Sequence, residues 1–192
     1  MIILASQSPR RRELLTLAGV SFECIPSGVE EKVPEGLALE KLPEYLSGLK
    51  AGDVALRHPG NIVIGSDTLV EFDGTALGKP RGRADAARML RALSGRCHQV
   101  YTGVTIVSPL GTESFTSVTE VEFYELTDAE IEAYIDTGEP MDKAGAYGIQ
   151  GFGSVLVKRI NGDYFTVMGL PLAETVRRIR RIEELLAQQG RP

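Results

Sequence analysis

Histidine and cysteine are scarce in these 192 residues, with two of each, at His58, His98, Cys24 and Cys97. Two cysteines cannot build the dense disulfide framework of a small secreted domain or an all-cysteine zinc site, and they suit a reducing cytoplasm. Two histidines argue against a multi-histidine zinc centre and against a histidine-dependent catalytic triad. Long apolar runs are also missing. The longest stretch without Asp, Glu, Lys or Arg, residues Cys97 to Thr112, contains His, Gln, Gly and Pro and falls short of the ~20 apolar residues that cross a bilayer. The run Ile2-Ile3-Leu4-Ala5 is too short for a signal h-region, and its charges follow it, so no export is expected. Net positive charge is lacking as well. Setting 21 basic against 26 acidic side chains leaves −5, a field that repels polyanions and disfavours a general nucleic-acid binder while leaving room for a local basic pocket. Neither a Gly-x-x-x-x-Gly-Lys-Ser/Thr loop nor a Gly-x-Gly-x-x-Gly fingerprint follows a strand.

What is present describes an ordinary globular chain, 43% hydrophobic and 24% charged, of a length that predicts one domain spanning 1–192. Short apolar strands alternate with amphipathic stretches, the pattern of a mixed α/β sheet with helices packed on it. Met1 to Ala5 predicts a buried strand. Ser8 is placed to cap a helix with Pro9 in its first turn and Gly19 to stop it. Phe22 to Pro26 predicts a second strand, and Pro43 opens a helix towards Arg57 that Gly48 and Gly52 weaken. Asn61 to Phe72 predicts a strand with an Asp73-Gly74 hairpin turn, and Ala84 to Leu93 a helix closed by Gly95. Val100 to Val107 and Phe115 to Phe123 predict an antiparallel pair. Thr127 and Glu130 form a capping box for a helix ending near Gly138. Residues 139–151 have no period and suit a functional loop. Val155 to Ile160 and Tyr164 to Val167 flank Asn161-Gly162 and predict a hairpin, and Pro171 starts a final helix whose arginines, Arg177, Arg178, Arg180 and Arg181, form a solvated face.

One segment is electrostatically odd. Arg10, Arg11 and Arg12 occupy the first turn of a helix, where the dipole favours acids and each arginine costs a few tenths of a kcal/mol. An anion reverses that sign, because helix amides, the hydroxyls of Ser6 and Ser8, and guanidinium forks together suit a polyphosphate. A capped helix with solvated arginines is the other reading, and spacing leaves both open. Acidic candidates are Glu30, Glu31 and Asp67. Asp67 ends the apolar run Ile62 to Ile64 in Gly65-Ser66-Asp67-Thr68, where it could hold a hard cation, deprotonate water or simply shape a turn. Lys50, Lys79 in its rigid Gly78-Lys79-Pro80 turn, and Lys143 are candidate cations.

Together these segments resemble the Maf family of nucleoside triphosphate pyrophosphatases. The resemblance is carried by Leu4 to Leu15, Gly65-Ser66-Asp67-Thr68, Gly78-Lys79-Pro80, Leu93-Ser94-Gly95-Arg96, His98 to Val104 and the loop from Gly138 to Gly151, in that order along the chain. It implies a Maf/ITPase-like α/β fold, a mixed twisted β-sheet with flanking helices and two lobes around a central cleft, in proteins that often dimerise. It further implies hydrolysis of the α-β phosphoanhydride of a nucleotide to a nucleoside monophosphate and pyrophosphate with a divalent metal, Mg2+ or Mn2+. By the same resemblance Ser8, Arg10, Arg11, Lys50 and Lys79 hold the phosphates, Glu31 and Asp67 bind the metal, and Asp67 is the proton acceptor, with Glu31 and Lys79 beside it in catalysis. Arg10, Thr68 and Gln150 look like the specificity markers of the branch acting on dTTP and UTP. The 7-methyl-GTP branch typically carries Trp, Gln and a Ser-Glu-Gly version there. Departures are Cys97, where Thr is common, and the glycine-weakened helix around Lys50. Family members have also been linked to inhibition of septum formation, so a nucleotide-binding regulator of cell division acting through a protein partner is one alternative, and a pyrophosphatase for another nucleotide such as 7-methyl-GTP is the other. No nucleic-acid or membrane partner is expected.

Overall fold

The computed structural model describes residues 1–189; the last three residues of the expected domain, 190–192, lie outside them. A seven-stranded mixed sheet runs in the order β2-β1-β3-β5-β6-β7, with β4 pairing β3. Its strands are β1 (Ile2–Leu4), β2 (Glu23–Cys24), β3 (Ile62–Phe72), β4 (Thr75–Leu77), β5 (Cys97–Ser108), β6 (Gly111–Phe123) and β7 (Val157–Asn161). The helices are α1 (Pro9–Leu17), α2 (Leu42–Arg57), α3 (Arg83–Leu93), α4 (Asp128–Asp136), α5 (Tyr164–Met168) and α6 (Leu172–Gln189). Strand β1 pairs in parallel with both β2 and β3, aligning Leu4 with Ile64, whereas β4 and β7 lie antiparallel to β3 and β6.

The chain divides into two compact units. The first comprises residues 1–67, 102–117 and the segment from Gly169 onward, so β3, β5 and β6 each give one end to each unit. In the first unit Ile3, Ala5, Ala51, Val54 and Val63 form a buried cluster under α2. Gly48 and Gly52 do not stop this helix from forming. Its close packing rests on two other glycines. A Cβ on Gly65 would lie 2.8 Å from the Ala51 nitrogen and closer still to the Ser47 carbonyl oxygen, and one on Gly103 would lie 2.5 Å from the Pro43 carbonyl oxygen. Only strands without side chains at these two points let the α2 backbone come this near. A hydroxyl chain joins the same layers, from the buried Ser47 Oγ to the buried Thr105 Oγ1 at 2.8 Å and outward to the exposed Ser114 Oγ at 2.9 Å.

The second unit has its own core, in which Val70, Phe72, Leu90, Leu93, Val100, Val121, Phe123, Ile131 and Tyr147 pack together. The expected capping box is present, with Thr127 Oγ1 accepting from the Glu130 amide and Glu130 accepting from the Thr127 amide. The Asp73-Gly74 turn takes the paired positive φ of a hairpin, 49° and 74°.

Two sequence expectations need correction. Tyr164 to Val167 is not the second strand of a hairpin but the body of helix α5. Asp163 decides this, because its Oδ2 accepts from both the Thr166 amide and the Thr166 hydroxyl, the bonds of a helix N-cap, and that outweighs the Asn161-Gly162 signal. The α6 arginines are not uniformly solvated either. Arg178 lies 4.4 Å above the Phe115 ring and pairs with Glu113 and Glu174, and Arg181 also pairs with Glu113.

Candidate active site

Helix α1 begins as its sequence dictates, with Ser8 at the cap position, Pro9 in the first turn and no acid there. Ser8 makes no side-chain cap bond. Its amide donates instead to Ser6 Oγ at 3.2 Å, so the cap hydroxyl takes no part in closing the helix. Arg11 folds back against the sheet end. Its Nη1 donates to Ser6 Oγ at 3.1 Å and its Nε to the Gly169 carbonyl at 2.8 Å, the same carbonyl that accepts from Ser66 Oγ at 2.9 Å. Burial pulls the Arg11 guanidinium below its ordinary pKa, the field of Asp67 pushes back, Arg10 lowers it further and Glu31 raises it. Arg10, Arg11, Glu31 and Asp67 therefore share one electrostatic neighbourhood.

Lys50 stands at its centre. Its Nζ lies 2.5 Å from Asp67 Oδ1 and 3.0 Å from Glu31 Oε1, so two carboxylates distant in sequence converge on a single cation. The lysine side chain is 16% exposed and that of Asp67 18%, whereas Glu31 is 49% exposed, giving the cluster a closed inner side and an open outer one. Gly65 explains the position. By bringing α2 onto β3 beside Ser47 and Ala51, it sets Lys50 over the middle of the strand, where Asp67 stands.

The sequence-derived residues thus separate into two groups. Ser8, Arg10, Arg11, Glu31, Lys50 and Asp67 belong to the first unit, and Glu31, Lys50 and Asp67 are in direct contact. Thr68, Lys79 and Gln150 belong to the second unit, with Thr68 half-buried and Lys79 and Gln150 exposed. Lys50, expected on the phosphates, here neutralises the two acids. Two participants escaped the sequence: Ser66, visible only as a small residue before Asp67, and the Gly169 carbonyl, which no side-chain pattern announces. His98 is buried against Phe123 and Tyr147, with Nε2 2.7 Å from the Tyr147 hydroxyl, and takes a core position.

Among the described residues no group of three or more His, Cys, Asp or Glu forms a metal cluster. The donor set still fits a hard divalent cation of the magnesium kind, which takes one or two protein carboxylates and completes its shell with water and substrate phosphates. Glu31 and Asp67 already meet on one positive charge, that of Lys50.

A mixed α/β sheet carrying paired carboxylates beside an arginine-rich helix start has the parts of a phosphate-handling hydrolase. Residues 1–182 match the family described as Maf-like protein, and the chain belongs to that family. It is 52% identical over 176 residues to a dTTP/UTP pyrophosphatase of Bacillus pumilus (strain SAFR-032), covering 92% of this chain and 93% of the relative. It is 51% identical over 181 residues to one of Geobacillus sp. (strain WCH70), covering 94% and 97%. Among solved structures, the Staphylococcus aureus Ham1 protein superposes with a TM-score of 0.48 at 18% identity, covering 81% of this chain and 79% of that one. No helix among the described residues is long and apolar enough to cross a membrane.

Proposed function

We propose that this protein hydrolyses the α-β phosphoanhydride of dTTP and UTP, and of modified pyrimidine nucleotides of the same edge pattern, releasing nucleoside monophosphate and pyrophosphate. The observation that carries this reading is the convergence of Glu31 and Asp67 on Lys50 beside Arg10 and Arg11. A regulator of septum formation that only bound nucleotide would have no need for two carboxylates on one cation. The relatives named dTTP/UTP pyrophosphatase favour the enzyme.

The roles follow from the charges. Arg10, Arg11 and Lys50 gather three cations in one neighbourhood with Glu31 and Asp67, and guanidinium and ammonium donors of this kind suit a polyphosphate. Helix α1 adds its N-terminal amides and the Ser8 hydroxyl. The misplaced arginines of the first turn are then placed for a ligand. When bound by Glu31 and Asp67, Mg2+ or Mn2+ supplies further neutralisation of phosphate charge. Asp67 accepts the proton of the attacking water as that water adds to phosphorus and the bridging P–O bond breaks towards pyrophosphate. Lys79 contributes a further cation to the phosphates and the chemistry. Arg10, Thr68 and Gln150 set base preference. The Gln150 amide offers a donor and an acceptor, matching the O4 acceptor and N3-H donor of uracil and thymine, a pattern that cytosine reverses. Unpaired cysteines at Cys24 and Cys97 suit a cytoplasmic enzyme. Pyrophosphate release with Mg2+ across a nucleotide panel, wild type against Asp67→Asn, tests the proposal. Turnover of dTTP and UTP that the variant loses supports it, and undiminished turnover by the variant refutes the role of Asp67.

A further inference from the structure

The stretch from Gly148 to Gly153 carries Gln150 and three glycines, a composition that on its own predicts a loop with many accessible conformations. Its two ends are nevertheless held together. A Cβ on Gly153 would lie 2.7 Å from the Tyr134 hydroxyl oxygen and closer still to the Gly148 carbonyl oxygen, so the segment closes almost into a ring. Tyr134, a buried residue of α4, accepts from the Gly148 amide at 3.0 Å. Glu139 grips the other end. Its Oε2 accepts from the Gly153 amide at 3.2 Å, and a Cβ on Gly151, where φ is +60°, would lie 3.1 Å from the Glu139 Cδ. Glu139 is itself fixed at both backbone atoms, its amide donating to Thr137 Oγ1 at 3.1 Å and its carbonyl accepting from Lys143 Nζ at 2.6 Å. The stem of Lys143 packs under Gly148, with Cε 2.8 Å from where a Cβ would stand. Between these grips Gln150 is extended and exposed, at φ −105° and ψ 174°.

We propose that Glu139 is a positioning residue for base selection, holding the backbone on either side of Gln150 so that its amide meets the pyrimidine edge in one orientation, with Tyr134 as the second anchor. This rests on the assignment of Gln150 as the residue that reads the base. A glycine-rich loop without the carboxylate must be ordered by the nucleotide itself, and a donor-acceptor pair that wanders discriminates poorly.

The test is a double-mutant cycle on the magnesium-loaded enzyme with dTTP and CTP. Glu139→Ala is expected to lower kcat/KM for dTTP by about tenfold, chiefly through KM, while CTP turnover changes by less than about threefold. Glu139→Gln, which keeps an acceptor for the Gly153 amide, is expected to restore most of the dTTP preference. On a Gln150→Ala background Glu139→Ala is expected to leave the dTTP:CTP ratio within about twofold, because the residue acts through Gln150. Amide hydrogen exchange across 148–153 is expected to quicken in Glu139→Ala alone. If Gln150→Ala narrows the ratio and Glu139→Ala does not, or if Glu139→Ala narrows it equally without Gln150, the positioning role is overturned. If Gln150→Ala leaves the ratio at the wild-type value, the assignment of Gln150 fails and this role fails with it.

Discussion

Gly65→Ala probes the packing that sets Lys50 over Asp67. The added methyl would stand 2.8 Å from the Ala51 nitrogen and closer still to the Ser47 carbonyl oxygen, against an ordinary contact of 3.4 Å or more. Both neighbours are backbone of α2, so no side chain can swing aside and the helix must retreat by roughly an ångström. Over-packing of this kind costs about 1–3 kcal/mol, and in a chain of this size each kcal/mol lowers the melting temperature by about 2–4 °C. A fall of roughly 2–12 °C is expected. The same retreat pulls Lys50 from Asp67, and a misplacement near an ångström costs on the order of 10²-fold in turnover. Thermal unfolding followed by circular dichroism, together with pyrophosphate release at saturating dTTP, measures both effects. A variant that melts within about 1 °C of wild type and turns over normally would show that α2 is not held by this contact.

Three further expectations follow from the same geometry. Asp67→Asn keeps the shape but accepts no proton, so turnover is expected to fall by roughly 10²-fold or more while the melting temperature holds; near-normal turnover by the metal-loaded variant refutes the assignment. Arg11→Ala removes the bonds to Ser6 and the Gly169 carbonyl as well as a phosphate cation, so stability is expected to fall by about 1–2 kcal/mol and nucleotide affinity to weaken, both readable by denaturant titration with and without dTTP. His98 is held neutral, its pKa pushed by burial from 6.5 down to about 4. A folded pKa below the unfolded one gives stability that is present above pH 6.5 and lost as pH falls towards 4. Wild type is therefore expected to lose about 2 kcal/mol more than His98→Gln between pH 7 and pH 5, and parallel pH profiles would contradict it.

Much of the fold was legible because local chemistry and tertiary packing agree. Pro9 and Gly19 bracket α1, Asp73-Gly74 turns β3 into β4, and Thr127 with Glu130 opens α4, each by a signal that acts within a few residues. The failures arose where a local signal met a competing one. Asn161-Gly162 reads as a hairpin turn, but Asp163 next to it caps a helix, and aromatic and β-branched residues at 164–167 suited either state. Arg178 matched a solvated helix face until the β6 residues Glu113 and Phe115 gave it partners that no helical period encodes.

The candidate site divides along the same line. Asp67 and the arginines of α1 were nameable from their motifs and Glu31 only through the family resemblance, yet the meeting of the two carboxylates on Lys50 was not legible. That convergence depends on Gly65 and Gly103 admitting α2 to the sheet, an absence of side chains whose meaning appears only when the helix is in place. The Glu139 and Tyr134 grips on the Gln150 loop were hidden for a related reason, since both act on backbone amides.

The central claim, that these carboxylates and arginines serve cleavage of a pyrimidine nucleoside triphosphate between its α and β phosphates, is tested most directly by product analysis of purified protein with Mg2+ and dTTP, UTP, CTP, GTP and 7-methyl-GTP in separate reactions. The account predicts that dTTP and UTP yield the monophosphate and pyrophosphate, with CTP and GTP about tenfold to a hundredfold slower. Release of inorganic phosphate with a nucleoside diphosphate, or a preference for 7-methyl-GTP, would contradict it.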